Sequence, residues 1–337
     1  MNISIRTLIA TILLFFAFTV NAAPLFDQSD ELSLSLAADF DTMFDEKDKS
    51  KQYPGKLGYE DSDGRKTLDV MLEVRGNFRL EKCQVPGLRL IFPDKPDGLF
   101  AKQKKLKLVA QCRRKGDAYQ DYLLQEYATY RAYEALTENS FKTRLAMVTY
   151  TDTGSGNDPW TNYGFLIEGT GKMDKRLGMK QVDDNRVSRK ALRGPETNLF
   201  TIYQFLIGNT DFSLLKGEGE EACCHNAKLL DSGNGFIPVP YDFDLAGVIN
   251  ASYAAPPVNL GIKRVTQRLY RGFCRNNEHV PSTLAHINAN KSAIYSAFMN
   301  DRIREKTRKK MRRFLDDFFA LTGDPKKLER KITGKCR

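Results

Sequence analysis

Leu68, Val70, Leu72 and Val74 alternate with polar neighbours, a repeat of two that puts every apolar side chain on one face of a β-strand. The same reading gives strands over residues 88–92, 106–110, 148–151 and 163–167, the last two around the polar turn 153–157. Elsewhere the repeat lengthens. Leu123, Tyr127, Tyr130 and the pair Tyr133/Glu134 recur at spacings of three and four within residues 119–136, which predicts a helix. Residues 198–207 read as an apolar helix, and residues 283–299 and 302–321 as further helices. Residues 32–44 are expected to be a short element and residues 45–58 a charged loop. A chain that changes period in this way is expected to be α+β, with a β-rich part over 23–168 and a mainly helical part over 169–337. An apolar fraction of 41%, with 21 Phe, is enough to fill a core in both.

Residues 1–22 carry one charge, Arg6, ahead of an apolar stretch from Leu8 to Phe18, and close on Val20-Asn21-Ala22. A basic start, an apolar middle and small residues at the end predict a secretory signal cut near Ala22, so the mature protein is expected to be exported, periplasmic or secreted. An uncleaved anchor is the competing expectation, because the stretch is only a little short of the ~20 residues a membrane span needs. Export changes what six cysteines mean: in an oxidising compartment an even count points to disulfides. Cys83 and Cys112 flank the strands at 88–92 and 106–110 and are the first expected pair, leaving Cys223 and Cys224 to share Cys274 and Cys336. Zinc held by Cys223, Cys224 and His225 is the alternative, against which stands the lack of C-x-x-C spacing or a second His cluster.

Three polar clusters carry the chemistry: Asn209-Thr210-Asp211, His225-Asn226-Ala227-Lys228 and Pro240-Tyr241-Asp242-Phe243-Asp244. Residues 228–230 and 236–239 read as two strands around the turn 231–235, a hairpin that would bring Asn226 and Asp242 close together. Oxygen ligands so placed suit a hard divalent cation. The plain alternative is that Asp and Asn simply populate turns. A hydrolase signature is absent: the sequence has only His225, His279 and His286, and no G-x-S-x-G.

In their shared order these segments resemble the spore-coat CotH kinase family, whose kinase-like fold is shared with the HipA and lipid-kinase groups. Arg75-Gly76-Asn77 followed by Leu88-Arg89-Leu90-Ile91-Phe92 is similar to that family's R-G-N segment and its downstream basic strand. Tyr163-Gly164-Phe165-Leu166-Ile167-Glu168 resembles its strand before the lobe junction, and the clusters at Asp211 and Asp242 resemble its two acidic loops. The likeness runs from about Val70 to Gly247. It implies a two-lobed kinase-like fold and ATP with magnesium or manganese as cofactor. It further implies Asp211 as the catalytic-loop aspartate, Asn226 as a metal ligand, Asp242 as the principal metal carboxylate and Asp244 as a second ligand or a structural acid. Glu168 is expected at the nucleotide site. Where the family carries a lysine-rich strand this chain has only Arg89, so Arg89 and Lys107 are the two candidate phosphate clamps, with Glu126 expected to pair with either. No G-x-G-x-x-G loop is present to cover phosphates.

A net charge of +10, of which the leader carries only Arg6, suits an anionic partner: a nucleotide, an acidic acceptor or an anionic envelope surface. Lys263, Arg264, Arg268, Arg271 and Arg275 crowd one segment, and Arg264, Arg268 and Arg271 are expected to dock an acidic acceptor; a salt-bridged loop tied through Cys274 is the alternative. The basic helix at 302–321 has an apolar face of Ile303, Met311, Phe314, Leu315 and Phe318 and is expected to dock on the core. A helix lying on anionic lipid is its rival. Nucleic acid is not expected, since no recognised binding motif occurs. Three functions are therefore carried forward: an exported atypical kinase-like phosphotransferase, a non-catalytic kinase-like binding protein of the cell envelope, and a basic envelope-surface adaptor.

Overall fold

The computed structural model describes residues 25–61, 64–217 and 223–337; the expected leader and its cleavage point lie outside them. The first half is a closed barrel of seven strands: β1 (Leu32–Ala38), β2 (Tyr53–Asp61), β3 (Gly64–Arg75), β4 (Gly87–Ile91), β5 (Lys105–Ala110), β6 (Thr143–Asp152) and β7 (Trp160–Ile167). The order around the barrel is β1-β2-β3-β4-β5-β7-β6, and a parallel pairing of β1 with β6 closes it. Three helices interrupt the strands: α1 (Phe40–Glu46), α2 (Phe78–Lys82) and α3 (Asp117–Glu134).

Residues 53–58 are strand, where the sequence was read as loop. Lys56 and the glycines at 55 and 58 hide the alternation, yet Leu57 and Tyr59 fill the barrel interior. The glycines are there for close approach: a Cβ at Gly55 would stand 2.7 Å from the Ala37 carbonyl oxygen on β1.

The alternation of β5, β6 and β7 serves two cores at once. Leu106, Leu108, Ala146, Val148 and Leu166 point into the barrel. Val109, Leu145, Phe165 and Ile167 point outward, where they meet Leu123, Leu124, Tyr127 and Tyr130 of α3. This outward face joins the barrel to the helical half. Glu73, Arg89, Lys107 and Ile167 lie on the same outward face, in register across β3, β4, β5 and β7.

The second half adds α4 (Thr170–Leu177), β8 (Lys180–Gln181), α5 (Gly194–Ile207), β9 (Ala227–Asp231), β10 (Phe236–Pro240), α6 (Val280–Ala289), α7 (Lys291–Phe298), α8 (Glu305–Thr322) and α9 (Pro325–Lys331). Strands β10, β9 and β8 make a small antiparallel sheet in that order. Pro238 and Pro240 are tolerated because β10 is an edge strand. Residues 283–299 are two helices rather than one, because Asn290 departs from helical geometry and its side-chain amide donates to the carbonyl of His286 at 2.9 Å. Helix α8 buries Met311, Leu315 and Phe318, the docked arrangement expected of its apolar face. Among the described residues no helix is long and apolar enough to cross a membrane.

Cys83 bonds to Cys112, as expected. The remaining pairing differs: Cys274 bonds to Cys336, and Cys223 bonds to its neighbour Cys224. Cys336 is brought opposite Cys274 by backbone hydrogen bonding, with the Cys274 N–H donating to the Arg337 carbonyl and the Arg337 N–H to that of Gly272. Cys223 and Cys224 sit instead in a separate buried cluster with Phe212 and Leu214. Bonded cysteines accord with an oxidising, exported environment. Replacing both Cys83 and Cys112 by Ser should lower stability by about 3 kcal/mol, the cost of releasing a loop of this size in the unfolded chain. A denaturation midpoint equal to that of the parent would show that the link adds nothing to the fold.

Candidate active site

A cavity of about 560 Å³ lies between the outward face of the barrel, helix α3 and the loops that flank the β9–β10 hairpin. Each loop is shaped by its own residues. Helix α5 is buried along almost its whole length and stops at Gly208, whose φ of +68° admits a left-handed turn. A Cβ at that position would also meet the Phe314 ring at 2.8 Å. Beyond it, the buried Asn209 side chain accepts the Asp211 N–H at 3.0 Å, an Asx turn that fixes the acid's position. The hairpin pairs Ala227 with Pro240, so Asn226 and Tyr241 sit at its open end, linked by the Tyr241 N–H to the Asn226 carbonyl at 3.3 Å. Phe243 then anchors the last loop, wholly buried with its ring centroid 4.7 Å from that of Tyr130. Asp242 and Asp244 flank this anchor.

Asp211, Asn226, Asp242 and Asp244 thus line one cavity. The Asn226 amide nitrogen donates at 2.9 Å both to the Asp211 carboxylate and to its carbonyl, leaving the amide oxygen as the ligand-type atom. His225 lies 2.9 Å from the other carboxylate oxygen of Asp211. The Asp242 N–H donates to the Tyr130 hydroxyl at 2.8 Å. Asn226 and Asp242 both hold left-handed backbone, at φ +50° and +62°, conformations that cost energy in a side-chain-bearing residue and gather at functional sites.

The same cavity also carries cations. Arg75, Arg89, Lys107 and Lys228 line it, and the Lys107 and Lys228 ammonium groups both approach the Tyr241 ring, at 5.7 and 5.5 Å from its centroid. Burial pushes Lys107 down to about 8, and the neighbouring charges of Arg75, Lys228 and Arg89 add to this while Asp242 opposes it. On the acidic side burial pushes Asp244 up to about 7, helped by repulsion from Asp242 and Asp211 and resisted by Arg79. Burial likewise holds Glu126 well above the usual carboxylate range, against the pull of Arg79. Val109, Phe141 and Ile167 form the apolar part of the lining.

Several expected pairings differ. Glu126 pairs with neither Arg89 nor Lys107; its partner is Arg79 on α2, at 3.4 Å. Arg89 is held by Glu73 at 2.7 Å, its register neighbour on β3. Glu168 is not part of the cavity lining, because its carboxylate is gripped through both oxygens by Arg176, at 3.1 and 2.9 Å. Arg268 and Arg271 do not present a docking surface. A helix end leaves its last carbonyls without intrahelical partners, and Arg268 donates to those of Phe205 and Leu206 while stacking on Phe314 at 3.7 Å. Arg271 donates to the carbonyls of Thr210 and Phe212 and so braces the loop carrying Asp211. Arg264 is exposed and off the cavity lining. The reading of residues 223–225 as zinc ligands fails because the two sulfurs are bonded to each other and His225 turns to Asp211.

Arg79 was missed in the sequence, and Arg75, Lys228 and His225 were named within their segments without a role at the site. The available signals were slight: Arg79 follows the Arg75-Gly76-Asn77 turn just before a disulfide cysteine, and His225 directly precedes Asn226. Compared with known proteins, the chain matches no family model and no curated sequence.

The buried Asp244 carboxyl gives a pH test. Its folded-state value stands above the ordinary 3.8, so the folded chain holds the proton more tightly than the unfolded one, and its contribution to stability falls as pH rises towards about 7. In metal-free protein Asp244→Asn should therefore gain stability over the parent progressively between about pH 4 and about pH 7. Parallel stability–pH curves for the two proteins would show that Asp244 is not under this strain.

Proposed function

We propose that this chain is an exported kinase-like phosphotransferase that uses a metal-bound nucleotide, ATP with magnesium or manganese, to modify an acceptor hydroxyl. The relationship to the CotH kinase family and the two-lobed kinase-like description of the fold belong to the same proposal. The observation that carries it is the two-signed cavity, lined both by Arg75, Arg89, Lys107 and Lys228 and by Asp211, Asn226, Asp242 and Asp244. A polyphosphate matches the cations and a divalent cation the acids, and each would offset the burial and, after it, the like-charge repulsion that move Lys107 and Asp244 from their ordinary values.

The residues fit a metal on two counts. Asp244 Oδ2 is buried with no hydrogen-bond partner, and Asn226 turns an amide oxygen rather than an N–H to the remaining space. Among the described residues no three His, Cys, Asp or Glu side chains gather into a self-sufficient metal site. The proposal therefore requires phosphate and water oxygens to complete the shell, the usual arrangement for magnesium that arrives with a nucleotide. That metal supplies charge neutralisation on the transferring group. Lys107 and Lys228 would hold phosphate oxygens, Arg79 would keep Glu126 and the acidic loop in place, and Asp211, set by Asn209, His225 and Asn226, would orient the acceptor hydroxyl and accept its proton.

The non-catalytic kinase-like binding protein is the second reading, and one observation favours it: Arg89 is already committed to Glu73, which leaves fewer cations for phosphate. The basic envelope-surface adaptor has less support, because α8 spends its apolar face on the core and leaves only solvated cations for peripheral contact with an anionic surface.

Calorimetry with ATP and magnesium or manganese separates these readings. Asp242→Ala should abolish metal-dependent nucleotide binding while leaving the folded state intact, since it removes one of several crowded acids. Asp211→Ala should retain binding and lose phosphotransfer by about a hundredfold or more, as expected for a group that takes the hydroxyl proton. Binding that survives Asp242→Ala unchanged would remove the metal role; tight binding with no turnover towards any acceptor would favour the binding-protein reading.

A further inference from the structure

A second cavity, of about 530 Å³, opens between α3 and α8 beside residues 247–250. Lys306, Lys310 and Arg313 stand on its rim at helical spacings of four and three, so they share one face of α8. All three are exposed, and none is paired with a carboxylate among the described residues. The acids nearby do not cancel this charge. Asp121 is consumed within the fold, accepting from the Arg304 backbone and Nε at 3.2 and 2.7 Å and from the Thr307 hydroxyl at 2.6 Å. Asp317, which also lines the cavity, remains as a single opposing charge.

The floor is more selective than the rim. Gln125 is 2% exposed. Its amide nitrogen donates to the Val248 carbonyl at 3.1 Å, which fixes the orientation of the amide, and its Oε1 is then a buried acceptor with no donor. A buried acceptor without a partner is unfavourable, so the site calls for an O–H or N–H group from whatever enters. Tyr122 completes the lining and continues into a run of partly exposed rings: Tyr119 at 5.7 Å, Tyr253 at 6.0 Å, and Phe78 at 6.0 Å from Tyr253. Phe78 lines the first cavity, so the rings join the two.

We propose that this second cavity binds a phosphorylated sugar or polyol. The three cations take the phosphate through charge-assisted hydrogen bonds, a ligand hydroxyl donates to Gln125 Oε1, and the C–H face of the sugar packs on Tyr122, an aromatic body with a polar tip. The volume suits a small ligand of this class. Nothing in this assignment depends on nucleotide binding in the first cavity.

The test is calorimetric titration of the mature protein, without nucleotide or metal, using glucose 6-phosphate, glucose and inorganic phosphate as probes. Glucose 6-phosphate should bind more tightly than either of the others. The double substitution Lys306→Ala and Lys310→Ala, at exposed positions outside the first cavity, should weaken glucose 6-phosphate by about tenfold or more. Gln125→Leu should remove its advantage over inorganic phosphate. Unchanged affinity in the double variant would put the ligand elsewhere, and equal affinity for glucose 6-phosphate and inorganic phosphate would reduce the site to a general anion-attracting surface; either result overturns the assignment, as does a parent protein that binds none of the probes.

Discussion

Arg79 is the group through which the barrel, helix α3 and the acidic loop are held in one arrangement. It donates to the carbonyl of Ala110 at the end of β5, pairs with the buried Glu126 of α3, and places a positive charge within reach of Asp242 and Asp244. Glu126 is 2% exposed and Asp244 6%; burial holds both carboxyls above the usual range even beside Arg79, whose charge pulls each of them back down. Breaking a buried pair of this kind from one side costs about 3–5 kcal/mol, because the other charge is left uncompensated. The short helix that carries Arg79 is in turn tethered by the Cys83–Cys112 bond, so a covalent link helps to hold the counter-charge of the acidic residues.

That arrangement explains why the cavity is divided rather than simply acidic or basic. The cations come from the end of β3, the outward faces of β4 and β5, and β9; the acids come from loops that a buried helix and a hairpin hold in place. The two sets offset each other only in part: Arg79 pairs with Glu126 and pulls on Asp244, and Asp242 opposes the fall of Lys107. Buried charge of both signs that costs the fold stability, with Asp244 Oδ2 left without a hydrogen-bond partner, is the form expected of a site built for a ligand.

Most of the fold was legible because its periods are clean. The alternation at Leu68, Val70, Leu72 and Val74 and the helical spacing through Tyr127 and Tyr130 survive as β3 and α3, and the hairpin around residues 231–235 survives with Asn226 and Asp242 at its open end. What escaped was non-local. Strand β2 was lost because its glycines answer to β1, the strand paired beside it, and not to their own neighbours in sequence. Arg268 and Arg271 were expected at a surface because sequence gives no measure of burial, whereas in the fold they satisfy carbonyls at the end of α5 and beside Asp211. Arg79 was missed for a similar reason: its partner Glu126 is 47 residues away, and no local pattern connects the two.

The most direct test of the divided cavity is a crystal structure of the protein with manganese and a non-hydrolysable ATP analogue, in which the anomalous signal of manganese marks the metal. The account predicts metal density in contact with Asp242 and Asn226, with phosphate density lying against Lys107 and Lys228. Manganese and nucleotide bound outside this cavity, or an empty cavity at saturating concentrations of both, would contradict it.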